Sequence, residues 1–183
     1  LSRPRALEIT RGTLRTLRDN VSHYRGFFAH FLQIDSGERY RKCEYSTIDT
    51  ALCLNGVITA EAYFKDAEIS ELSAQLLERV DWNYIVFEQD GKTLFHMAYN
   101  PDWRGDYVRG EPGFISQWDM AAEQRMMYLQ AAGQVDPSVT RALYHGFRRD
   151  TGYYEGQPII IIPGGSLFAY HFTEAWLDSA RYL

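Results

Sequence analysis

The chain has 183 residues, 45% of them hydrophobic and 23% charged, with a formal net charge of −5. That is long enough for one domain with a real core and too apolar for a disordered chain. A mildly acidic sequence without a Lys/Arg tract gives no footing for nucleic acid or an anionic membrane surface. Cys43 and Cys53 are the only cysteines, too few for a disulfide framework and at no zinc-site spacing. No stretch reads as a signal peptide or as an apolar run of about 18 residues or more. Aromatic residues make up 15%, thirteen of them Tyr; such rings fill cores or stack on sugar faces.

In chain order, Ala6 to Tyr24 reads as an amphipathic helix, with Leu7, Leu14, Leu17 and Val21 apolar and Arg11, Arg15 and Arg18 exposed. A connector holds Gly26-Phe27-Phe28-Ala29-His30-Phe31 and the turn Asp35-Ser36-Gly37. From Cys43 a polar segment leads into an apolar helix, about Ser46 to Phe64. Ser46 is a good N-cap, and Asp49 stands three residues later, where a carboxylate suits the helix dipole. Glu68 to Val80 follows as a charged amphipathic helix. Helical periodicity then stops: Tyr84 to Phe87 and Thr93 to Met97 flank Gln89-Asp90-Gly91, a predicted β-hairpin. A second buried helix is predicted over Gln117 to Ala132, Pro137 to Arg149 as a surface helix, and Gly152 to Gly165 as a loop in which Ile159 to Ile162 read as a short buried strand. Ser166 to Tyr182 closes the chain as a third buried helix.

Surface helix followed by buried helix thus occurs three times, with short links out of the buried helices and long aromatic links into them. Antiparallel packing would place every long link at the N-terminal end of the buried helices, beside Asp49 and Asp119. The expectation is an all-α fold of α/α-toroid type, residues 1–183 forming one domain of three helical hairpins with a small β-hairpin insertion near 84–97.

Several motifs occur in a known order: Gly26 to Phe31, Cys43-Glu44-Tyr45-Ser46-Thr47-Ile48-Asp49-Thr50-Ala51, Asp81-Trp82-Asn83, Gly113-Phe114, Trp118-Asp119 with Glu123, and Ala175-Trp176-Leu177-Asp178. Together they resemble the bacterial glucoamylase-like family, which includes β-1,2-glucanases and a region of cyclic β-1,2-glucan synthases. The resemblance implies an (α/α)6 toroid and a carbohydrate-active domain, periplasmic or membrane-associated, with no metal and no organic cofactor. The family's ring has six hairpins against three here, so the sequence resembles the N-terminal half of the domain. A second copy, as a homodimer, or a separate second half would complete it.

Glycoside cleavage needs two carboxyl groups flanking the scissile bond, one holding a proton, the other acting as base or nucleophile. The cleft-end candidates are Glu44, Asp49, Asp119 and Glu123. Asp119 and Glu123 are one helical turn apart in the predicted helix, and Glu123 lies among Ala121, Ala122 and Met127, surroundings that suit a general acid. Asp49 or Glu44 is then the base or nucleophile, and Asp119, Trp118, Tyr45, Trp103 and His171 contact sugar. Plainer readings stand beside these. Asp49 and Asp119 can be capping residues, Glu123 a buried carboxylate paired with Arg125 or a loop Arg, Glu44 a surface charge, and Trp82 a packing residue. His30, His96 and His171 lack metal-ligand spacing and read as hydrogen-bonded structural residues. Gly164-Gly165-Ser166 before a helix lacks the lysine of a phosphate loop. The sequence therefore points to a glycoside hydrolase or transglycosylase acting on a β-glucan, β-1,2-linked by the resemblance. A non-catalytic glycan-binding or assembly half-domain completed by a partner is the alternative.

Overall fold

Signals at the helix ends set the framework of the first part of the chain. In the computed structural model, which describes residues 1–162, 164–178 and 181, the order is α1 (Arg3–Asp19), β1 (His23–Tyr24), β2 (Phe27–Phe28), β3 (Tyr45–Ser46), α2 (Thr47–Phe64) and α3 (Ala67–Glu78). A 3₁₀ turn (Trp82–Ile85) leads to β4 (Val86–Gln89), β5 (Lys92–Asn100), β6 (Gly113–Gln117), α4 (Arg125–Ala131) and α5 (Pro137–Gly146). The chain continues through β7 (Asp150–Tyr154), β8 (Gln157–Ile161) and α6 (Leu167–Glu174). It divides into two compact units, Leu1–Asp81 with Ala98–Ile115 and Trp82–Met97 with Ser116–Leu183.

In the first unit α1, α2 and α3 pack on one another. Ser46 caps α2 as the sequence suggests, its Oγ accepting from the Asp49 N–H. Lys65, in the left-handed region at φ 51°, ends α2, and Asp66 at once caps α3 by accepting from the Ile69 N–H at 3.2 Å. Ile69, Leu72 and Leu76 of α3 are buried, and so is Leu14 of α1. The Arg11 guanidinium bonds both oxygens of Asp66, at 3.0 and 2.5 Å, which ties α1 to the cap of α3. β1 and β2 form a hairpin across Arg25-Gly26, both at positive φ, the geometry of a two-residue turn that follows the twist of the strands. A Cβ at Gly26 would stand 2.4 Å from the Arg79 carbonyl oxygen, so the position admits only glycine. β3 pairs antiparallel with the end of β5, Tyr45 opposite Tyr99 and Ser46 opposite Ala98.

The second unit is built around an aromatic stack. Tyr128 lies between Phe95 and Phe147, with ring centroids 5.5 and 5.4 Å away and planes within 6°. Trp82, Ile85, Met126, Met127 and Leu143 complete the core. β4 and β5 pair from Val86 opposite Phe95 to Gln89 opposite Lys92, joined by Asp90-Gly91 at positive φ, the turn this dipeptide predicts. β7 and β8 form another hairpin across Glu155-Gly156, also both at positive φ.

The all-α toroid of three helical hairpins is overturned. Among the described residues the fold is mixed, six α-helices with three sheets and about 22% strand. The long links that were to join helices carry the sheets. His23–Phe28 is a hairpin, and β5 runs on to Asn100 and pairs with β3 and β6 as well as β4. The loop expected over Gly152 to Gly165 contains most of β7 and β8. The predicted helix from Gln117 starts only at Arg125, because Met120 forms a parallel bridge with Arg148. There the Ala121 N–H donates to the Arg148 carbonyl and the Arg148 N–H to that of Asp119, which holds this segment extended. Gln124, fully buried, satisfies the following turn, its Nε2 donating to the Met120 carbonyl and its Oε1 accepting from the Ala122 N–H. The last helix ends at Glu174; Tyr182, its predicted end, lies outside the described residues.

The Arg11 hydrogen bonds hold the Asp66 carboxyl below its ordinary range. A depressed folded-state value stabilises the fold above the unfolded value of about 3.9, a contribution lost as pH falls through the folded one. Asp66→Asn, which keeps a capping oxygen, should therefore lower the thermal midpoint at pH 7. The gap to the wild type should close as the pH is taken below about 4, a comparison that thermal melts at several pH values make directly.

Candidate active site

A cluster of chemically capable side chains lies in the first unit, where the end of β2 meets the start of β3. Ala29 bridges to Tyr45, and the His30 N–H donates to the Glu44 carbonyl at 2.9 Å. This pairing sets the two side chains next to each other. His30 Nδ1 is 2.6 Å from Glu44 Oε1, and Nε2 on the far edge of the ring is 3.8 Å from Asp49 Oδ2. Asp49 stands in the first turn of α2, and the Ser46 hydroxyl donates to its Oδ2 at 2.5 Å. The Phe31 ring stacks on His30, centroids 4.1 Å apart and planes within 14°. Glu44, Asp49 and Ser46, which the sequence grouped by proximity, thus come together around a histidine it set aside.

Glu44 is only 6% exposed, and its Oε2 accepts no hydrogen bond from the chain. Leaving a buried polar atom unpaired costs about 1–3 kcal/mol, more for a charged group. Asp49 has the opposite setting, partly exposed and bonded by a hydroxyl. The site therefore holds two carboxyl groups in unlike surroundings, one buried with a free oxygen and one open to solvent.

A second set of bonds braces the neighbouring segments. Arg39 donates from Nε to the Cys43 carbonyl at 2.6 Å and from a terminal nitrogen to Asn100 Oδ1 at 2.9 Å, and pairs with Asp102 at 2.7 Å. Its guanidinium lies 5.0 Å from the Tyr45 ring centroid, and Tyr24 packs against the same ring at 5.7 Å. Asn100 is fully buried and donates to the carbonyls of Lys42 and Asp106. Gly105 must be glycine, since a Cβ would meet the Asn100 amide at 2.3 Å. These bonds clip the loop after β5 to the segment carrying Glu44. Trp103 stands on that loop, its ring more than half exposed and its carbonyl accepting from Lys42 Nζ at 2.9 Å. An indole on a braced loop is free to stack on a sugar face.

The other predicted site residues belong to the second unit. Trp118 is buried, and its N–H donates to the Phe95 carbonyl. Asp119 is partly buried and lines a shallow pocket with Met97, Ser116 and Gln117. Glu123 is partly exposed and lies in the turn before α4, its carbonyl accepting from the Thr173 hydroxyl at 2.9 Å. It shares no helix with Asp119, contrary to the expectation of a common helical face. Arg125, offered as its partner, bonds Glu174. His171 is exposed on α6 and faces a cavity of about 560 Å³ with Arg125, Arg149 and Tyr170. Among the described residues no group of three or more His, Cys, Asp and Glu could hold a metal ion.

Residues 115–182 match the Glycoamylase family model, described as "Putative glucoamylase". The match takes in Trp118, Asp119, Glu123 and His171 and supports a glucoamylase-like relationship and a glycoside hydrolase-like function. It covers less than half of the chain and does not reach Glu44, Tyr45, Asp49 or Trp103. No curated protein and no solved structure matches the chain.

Asn100→Ala removes the amide that joins Arg39, Lys42 and Asp106. It should cost about 1–3 kcal/mol for the groups left unpaired, seen as a lower urea midpoint. Faster proteolytic cutting between Pro101 and Val108 should accompany it.

Proposed function

We propose that this chain is a glycoside-acting domain, a hydrolase or transglycosylase for a β-glucan, with Glu44 as the reacting carboxylate of its first unit. One observation carries the proposal: a buried glutamate held at one oxygen by His30, with the other oxygen unpartnered and a second carboxyl group across the imidazole. In this reading Glu44 is a base that takes a proton from water or a nucleophile that attacks the anomeric carbon, and Asp49 is the second carboxyl group. Tyr45 and Trp103 are proposed as sugar contacts on the same segments. Glu123 is proposed as the general acid, and Trp118, Asp119 and His171 as contacts to sugar; all four lie in the stretch that the family model matches. The β-1,2 linkage, and the chain as the N-terminal half of a larger domain, rest on the resemblance of the ordered motifs.

The test is incubation of the purified chain with linear β-1,2-, β-1,3- and β-1,4-glucans, products being resolved by length. The expected result is cleavage or transfer on one of them, the β-1,2-glucan by this reading. Glu44→Gln and Glu123→Gln should each lower turnover by at least about 10²-fold without lowering the unfolding midpoint. Full turnover in Glu44→Gln would remove that residue from the mechanism.

A second reading, a glycan-binding or assembly half-domain, has its own observation. α2 is apolar on all sides, and Ile58 and Tyr63 remain exposed on it. A helix apolar all round is ordinarily covered. This reading proposes that a second copy or a missing second half covers it. Light scattering should then give the mass of a dimer that Tyr63→Lys disperses; a wild-type monomer speaks against the second copy.

A further inference from the structure

His30 has a more specific setting than a hydrogen-bonded structural histidine requires. Both of its nitrogens face carboxyl groups, Nδ1 toward buried Glu44 at hydrogen-bond distance and Nε2 toward Asp49 beyond it. Its ring is stacked on Phe31, and its backbone N–H is bonded to the Glu44 carbonyl, so neither ring nor main chain is free to turn. The short Nδ1 to Oε1 contact must contain a proton. Placed on nitrogen, that proton makes Nδ1 the donor and Glu44 Oε1 the acceptor. The ring is then the Nδ1–H tautomer when neutral, donating to a carboxylate that can only accept.

We infer that His30 is the positioning residue of this site: its Nδ1–H bond fixes the Glu44 carboxylate, whose Oε2 is left buried and unpaired. The inference rests on the reading of Glu44 as the reacting group. Without the bond, the buried carboxylate would have no partner at either oxygen among the contacts that define it, and its rotamer would be free to drift. A misplacement of about 1 Å at a reacting atom costs on the order of 10²-fold in rate.

Two measurements on the full chain test this. Long-range ¹H–¹⁵N correlation spectra of the histidine rings, with His30 assigned through its variants and the pH set where the ring is neutral, should show Nδ1 protonated and Nε2 bare. The opposite tautomer would overturn the inference. In the glucan assay, His30→Phe keeps a stacked ring but has no donor, and kcat should fall by about 10²-fold with KM little changed. His30→Asn puts an N–H close to the place of Nδ1 and should recover most of that loss. Equal losses in the two variants, or none in His30→Phe, would also overturn it. The tautomer is read without turnover, which separates the outcomes. Full activity in Glu44→Gln with an Nδ1–H ring would sink the catalytic reading of Glu44 alone. An Nε2–H ring with Glu44-dependent activity would sink only the role of His30.

Discussion

The pairing of Ala29 and His30 with Glu44 and Tyr45 is the constraint on which the rest of the first unit's site depends. It is short, one bridge and one further backbone hydrogen bond, yet it brings together residues 14 apart in sequence. Closing such a loop carries an entropic cost, offset here by contacts inside the loop. Arg39 bonds the Cys43 carbonyl, the Arg39 N–H donates to the Ser22 hydroxyl, and the Tyr40 N–H donates to the Phe31 carbonyl. The same residues that make the reversal compact aim the His30 and Glu44 side chains at each other. Because Ser46 ends β3 and caps α2, Asp49 follows from the same pairing without a further device.

The energetic cost at Glu44 has a functional logic. Glutamate is seldom buried without a partner, and a glutamine or an apolar residue would remove the charge there. A half-paired buried carboxylate gives up stability at this position. Natural chains break such local rules mostly where chemistry is done. The rest of the unit is conventional by comparison, with helices ended by caps, an ion pair from Arg11 to Asp66 and a glycine where only a glycine fits.

What was legible in the sequence was local. The Ser46 cap, the two-residue link at Lys65-Asp66 and the Asp90-Gly91 turn are set by a few neighbouring residues, and each is where the sequence puts it. What was not legible depended on partners distant in the chain. Gln117 to Ala132 has helical composition, but its first residues pair with Arg148, and tertiary hydrogen bonds override propensity there. β7 and β8 are exposed on nearly every residue, so they lack the alternation that betrays a half-buried strand, and Glu155-Gly156 is a weaker turn signal than Asp-Gly. The toroid failed for the same reason. Helix order alone does not show that the intervening links hold the sheets. For the site, Glu44 and Asp49 could be named from the sequence, but His30 could not be given its place, since no local pattern says that residue 30 lies against residue 44.

Two supports for a carbohydrate-active chain come from different residues, and that independence matters more than either alone. The family model matches from residue 115 onward and says nothing of Glu44 or Asp49. The geometry around Glu44 lies wholly in residues before that point and owes nothing to the match. A chance family match would not place a buried, half-paired glutamate beside a second carboxyl group elsewhere in the chain. A merely structural Glu–His pair would not require the later residues to resemble a glucoamylase. The capping reading accounts for Asp49, whose N–H donates to the Ser46 side chain. A capping residue needs only Ser46 and the α2 amides, and leaves both Glu44 and its histidine unexplained.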